Sequence, residues 1–180
     1  MFGWFKRKEE TTDRGKAAAL YEAVRTALRD DRGRRLDGAP QEDDEHVRIV
    51  ASVAALLLCV AYADLDYSAD EEEVLRATLS RVHGLESDGV EAILRVLREH
   101  AIMIASAEST TYARELLELT AEDFRLELLD VLVDLAAADE NITVAETNMM
   151  RAVVRALGLS QAQYNASQAR HRDKLGVLKD

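Results

Sequence analysis

Two short stretches carry oxygen-bearing side chains at alternating positions. The first runs Asp64, Asp66, Ser68 and closes on Glu71; the second runs Asp139, Asn141, Thr143 and closes on Glu146. Oxygen donors two residues apart in a turn are what a hard divalent cation takes. Paired carboxylates can also hold a basic partner or move protons, and a metal held there could assist hydrolysis. A plainer chemistry competes. Ser68-x-x-Glu71 and Thr143-x-x-Glu146 have the spacing of capping boxes, in which the hydroxyl accepts an orphan amide and the Glu reaches back to the cap. Each cap is worth about 1 kcal/mol. Helix entry explains those four residues but not Asp64 and Asp139. Both fall at the end of an apolar helical run, where the dipole disfavours a carboxylate. Either a bound cation compensates them or hydrogen bonds to backbone amides do, as in an Asx-turn. Both readings stand at this point.

The elements that must position these turns repeat. A shift of 75 residues lays Asp64 on Asp139, Ser68 on Thr143 and Glu71 on Glu146. It also lays Leu56-Leu57-Leu58 on Val131-Leu132-Val133. One residue of slippage then matches Gly84-Leu85 to Gly158-Leu159. The unit is helix, acidic turn, helix, glycine stop, used twice. It is not an EF-hand: the glycine and glutamate which that loop needs at its sixth and twelfth positions are replaced by Ala69 and Leu75, then by Val144 and Met150.

The rest of the chain reads as helix. Residues 1–16 read as an arm, followed by a first helix over about 16–31 with Leu20, Val24 and Leu28 on one stripe. Residues 31–45, with Gly33, Gly38 and Pro40, read as a mobile linker. Helices follow over about 42–63, 69–83, from Ser87, 111–119, 120–138, 143–157 and from Ser160. Thr120-Ala121-Glu122-Asp123 is expected to cap the sixth, and Glu127, Asp130 and Asp134 form an acidic rail on its outer side. No strand pattern occurs. The expected fold is all-α: a bundle of about seven to eight helices with an internal pseudo-twofold duplication. The expected units are 1–41 (arm, first helix, linker), 42–170 (helical domain) and 171–180 (basic tail).

Composition narrows the function. The chain has 180 residues and a net charge of −11, and residues 42–146 hold 25 Asp/Glu against 7 Lys/Arg. Such a body repels phosphate backbones and attracts cations or basic proteins, so nucleic acid is excluded as a partner. The longest uncharged run, Ile49 to Ala63, is fifteen residues; a membrane-spanning helix needs about 20. Phe2, Trp4 and Phe5 precede Lys6, Arg7 and Lys8, the reverse of a secretory signal. That segment fits a peripheral contact with an anionic membrane, or a terminus folded back on the body. The single cysteine, Cys59, sits in an apolar run and fits a small core residue in a reducing compartment.

The phrase Ala-Asp-x-x-x-Ser/Thr-x-x-Glu, twice, each time between a buried helix and a helix ending in Gly-Leu, resembles the TerB family. That family comprises tellurite-resistance proteins and the TerB-like region of DjlA co-chaperones. The resemblance covers roughly residues 42–170 and departs from the family pattern at Leu65 and Glu140, where glycine is usual. It implies an all-helical bundle with pseudo-twofold halves and a non-catalytic role in a bacterial stress or tellurite response. It further implies a cytoplasmic protein, peripheral at the inner membrane face, with a divalent metal. The positions carried over are Asp64, Ser68, Glu71, Asp139, Thr143 and Glu146; Asp66 and Asn141 come from spacing alone.

Three functions follow in order. The first is an acidic binding module that takes calcium, magnesium, manganese or zinc at the paired turns and docks a membrane-associated protein. The second is a metal-free adaptor whose acidic face binds a basic partner. The third is a metal-dependent hydrolase, ranked last: His46, His83, His100 and His171 are isolated, and no phosphate loop or nucleophile elbow occurs.

Overall fold

With leucine and alanine at three- and four-residue spacings and one proline in the chain, helix is the economical way to bury apolar surface. A computed structural model bears this out. It describes residues 2–33, 44–62, 69–81, 85–137 and 144–170; the side chains of 2–12, 30–33, 44, 69–71 and 144–146 lie outside the description. Among the described residues there are eight helices and no strand. They are α1 (Phe2–Gly33), α2 (Asp44–Ala61), α3 (Ala69–Leu79), α4 (Ser87–Ala105), α5 (Ser109–Leu119), α6 (Glu122–Ala136), α7 (Val144–Ala156) and α8 (Gln161–Gln168).

The core is built around α2. Every residue from Ala51 to Ala61 is buried, as expected of a helix apolar on all sides. It packs against α1, α3, α4, α5 and α6. The two halves echo each other around it: α2 and α3 both pack on α4, and α6 and α7 both pack on α8.

One expectation fails at the N-terminus. An arm over residues 1–16 was expected from where the apolar stripe begins, but α1 is a single helix from Phe2. Residues 4–16 contain no proline and one glycine, Gly15, whose cost of about 1 kcal/mol is too small to end a helix by itself. Ala17, Leu20, Val24 and Leu28 are buried, chiefly against α4 with help from α2 and α5. Gly89 permits the approach of α1 to α4: a Cβ there would lie 2.9 Å from Leu85 Cδ1 and 3.4 Å from Leu28 Cδ2. Lys16 Nζ donates to Ser106 O at 2.9 Å, tying α1 to the end of α4. The expected linker lies largely outside the described residues, at 34–43, as does the basic tail at 171–180.

The expected cap of α6 also fails. The N-cap is Ala121, with no side-chain cap bond. Thr120 is still the C-cap of α5, and its hydroxyl donates back to Leu116 O at 2.5 Å. Buried Arg125 donates to the Thr120 carbonyl, so the connection closes on α5's end rather than on α6's start. A full capping box does form at α8, where Ser160 N donates to Gln163 Oε1 at 2.7 Å and Gln163 N to Ser160 Oγ at 3.2 Å.

The glycine stop of the second half is a Schellman ending. Gly158 has φ 72°. Its N–H donates to Arg155 O at 3.1 Å, and the Leu159 N–H donates to Val154 O at 3.0 Å. Val154 and Leu159 are both buried, completing the hydrophobic contact that accompanies this motif. Its counterpart Gly84 lies outside the described residues.

Cys59 is buried, and desolvation pushes its thiol up to about 12. At pH 8 that lowers the reactive thiolate on the order of a thousandfold relative to an ordinary cysteine. An aromatic disulfide reagent is therefore expected to label the native chain very slowly and the urea-unfolded chain at once. Rapid labelling of the native chain would contradict this burial.

Candidate functional site

The paired turns are framed alike. Helix α2 ends at Ala61 and α6 at Ala136; α3 begins at Ala69 and α7 at Val144. Both intervals equal the 75-residue shift of the sequence repeat. The helices also end with the same bond: Tyr62 N donates to Leu58 O at 2.8 Å, and Ala137 N to Val133 O at 3.0 Å. The chain thus leaves two equivalent helices in the same way and re-enters helix at equivalent points. Moreover, α2 packs on α6, and α3 packs on α6 as well.

Asp64, Asp66, Ser68, Asp139, Asn141 and Thr143 lie outside the described residues. Glu71 and Glu146 fall in the first turns of α3 and α7, with their side chains outside the description. The candidates present only oxygen donors. That set fits calcium, magnesium or manganese better than zinc, which usually takes imidazole or thiolate. Among the described residues, no group of three or more His, Cys, Asp or Glu side chains converges as a metal site.

The flanks of the turns differ. Beside the first, Glu72 of α3 accepts from Arg98 Nε at 2.9 Å and Nη2 at 2.5 Å, and from Arg76 Nη2 at 3.0 Å. Arg98 first, then Arg76, holds the Glu72 carboxyl below the usual carboxylate range. Arg76 also pairs with Glu91 and, at 3.3 Å, with Glu73. The start of α3 is therefore strapped to α4. The equivalent of Glu72 in the second half is Thr147, so this strap belongs to the first half.

Beside the second turn, the acidic rail of α6 is partly covered. Arg170 Nη2 lies 3.2 Å from Asp130 Oδ1 and 3.0 Å from Asp134 Oδ1, and Ser167 Oγ donates to Asp130 Oδ1 at 2.6 Å. The rail was expected on an outer face; α8 lies over its C-terminal part, while Glu127 stays exposed. Sequence reasoning missed Arg98, Arg125 and Arg170. Arg98 and Arg170 pair across 26 to 40 residues, and charge spacing along one helix carries no signal at that range. Arg125 bonds more locally, but as a buried arginine it runs against the usual exposure of that residue.

Among the described residues, no helix is long and apolar enough to cross a membrane. A repeated helix–turn–helix unit, packed as two echoing halves around one buried helix, defines a small all-α module of duplicated hairpins. The family model described as tellurite resistance protein TerB matches residues 51–169. This is more than half of the chain, and the chain belongs to the TerB family. Helix α1 and the first turns of α2 lie N-terminal to the matched region. No curated protein and no solved structure matches the chain.

Proposed function

We propose that this chain is a non-catalytic acidic helical module that binds a divalent cation at its paired turns and docks a membrane-associated protein. The setting is a tellurite-resistance-like stress response at the cytoplasmic face of the inner membrane. The observation that supports the reading is the equivalence of the helix ends that flank the two turns. Both leave by the same terminal bond, from helices that pack on one another. Asp64 and Asp139 would supply the dipole-opposed carboxylates, with Asp66, Ser68, Glu71, Asn141, Thr143 and Glu146 as further oxygen donors. Membrane contact would be peripheral, through Phe2, Trp4, Phe5, Lys6, Arg7 and Lys8 of α1.

Calorimetric titration of the full chain with calcium, magnesium, manganese and zinc tests the metal part. Binding heat is expected with at least one hard cation, lost in an Asp64→Ala/Asp139→Ala variant that keeps its helical spectrum. At a hundredfold excess over Kd the cation should add about 2.7 kcal/mol to stability. No heat and no thermal shift in the wild type would remove the cation from the reading. The metal-free adaptor remains the second reading. Arg170 favours it, because its seat between Asp130 and Asp134 is the contact a basic partner would make on α6. Partner capture that survives a chelator and weakens with salt would favour that reading.

A further inference from the structure

The C-terminal half of α6 collects negative charge. Asp130 and Asp134 stand one turn apart on it, and the helix dipole adds its negative pole there. The last turn of α6 contains no basic residue. The cation comes from outside the helix: Arg170 Nη2 lies 3.2 Å from Asp130 Oδ1, 3.0 Å from Asp134 Oδ1 and 3.4 Å from the Asp130 carbonyl oxygen. One nitrogen serves all three acceptors, without the two-pronged geometry that makes an arginine–carboxylate pair strong. Arg170, Asp130 and Asp134 are each about half exposed, and ion pairs so placed are weak.

Helix α8 has anchors other than Arg170. It ends at Gln168 and buries Tyr164 and Ser167. Gln163 Nε2 donates to Glu122 Oε1 at 2.9 Å, and Ser167 Oγ donates to Asp130 Oδ1 at 2.6 Å. The Ser167 bond holds the Asp130 carboxylate independently of Arg170. Beside these groups an open groove of about 330 Å³ runs between α6 and α8, with Leu126, Leu129 and Ala166 on its walls. Both carboxylates lie inside the region matched by the TerB model, and Arg170 is the first residue beyond it.

We propose that Arg170 is a tethered stand-in, occupying an arginine seat on α6 that an arginine-rich segment of a protein partner takes over. The inference rests on the metal-free adaptor reading and adds to it the seat and its built-in competitor. An incoming arginine improves on Arg170 by meeting a carboxylate with both prongs, which a lysine lacks. Apolar side chains beside that arginine would lie along the groove.

Calorimetric titration of the full chain with hexa-arginine and hexa-lysine peptides at fixed salt tests it. Hexa-arginine should bind the wild type more tightly than hexa-lysine does. R170Q should bind hexa-arginine about two- to fivefold tighter than the wild type, the range that exposed ion pairs span. R114Q removes the same charge from an exposed position on α5 and should give a smaller gain. D130N/D134N should weaken binding about fivefold or more, and D130N/D134N/R170Q should match it, with the gain erased. All variants should melt near the wild type. No gain in R170Q, an equal gain in R114Q, or a gain that survives in the triple variant would overturn the stand-in. Binding indifferent to D130N/D134N would overturn the seat and leave the adaptor reading with another face. No binding of hexa-arginine by wild type or R170Q would overturn both.

Discussion

Replacing Leu20 by alanine is expected to destabilise the chain by about 2–5 kcal/mol, the usual cost of emptying a fully packed leucine site. Leu20 has 0 % exposure and sits in the core with Val24 and Leu28, yet it lies outside the region matched by the TerB model. For a chain of this length each kcal/mol lowers Tm by about 2–4 °C. Urea unfolding followed by circular dichroism would measure the loss. Arg29→Ala, on the exposed side of the same helix, is the control and should change stability by about 0.5 kcal/mol or less. If Leu20→Ala behaved like that control, α1 would be an appendage to the bundle. A large loss confined to Leu20 would establish that α1, which lies N-terminal to the matched region, is part of the folded core.

Gly158→Val should cost about 2–4 kcal/mol, for two separable reasons. At φ 72° any L-residue pays roughly 1–2 kcal/mol, and a β-branched one is stiffest there. A new Cβ would also fall 2.7 Å from Leu117 Cδ1. Leu117 is 41 % exposed and can turn aside, so overpacking should stay near 1 kcal/mol, the low end of its range. Gly158→Ala should therefore lose most of what Gly158→Val loses, because the backbone conformation and the Cβ are common to both. Gly15 supplies the opposite sign. It lies inside α1 with nothing within 4 Å of its would-be Cβ, so Gly15→Ala should stabilise by about 0.5–1 kcal/mol. Equal effects at the two glycines would mean that the Schellman ending of α7 is not what holds Gly158 in place.

Much of the bundle was legible because helix burial leaves a local record. The stripe of α4, with Val90, Ile93, Leu94, Leu97 and Ile104 buried, has the spacing that the helical period demands. The duplication was legible for the same reason, and the boundaries at Ala61 and Ala136, and at Ala69 and Val144, fall on the 75-residue shift. Where reading failed, two local signals competed. Thr120 had the composition of an N-cap, but it stands one residue after α5 and its hydroxyl is closer to that helix's open carbonyls. The N-terminal half of α1 lacked an apolar stripe, and a helix can continue through polar residues once a packed segment has nucleated it.

By itself the sequence determined the helices, the doubled acidic turn and the family, because each is written in residue types a few positions apart. Only the tertiary structure decided which charges meet. It set Arg98 on Glu72 and Arg170 on Asp130 and Asp134. Such pairings depend on how helices far apart in the chain cross, and a charge carries no sequence mark of the partner that packing will bring to it.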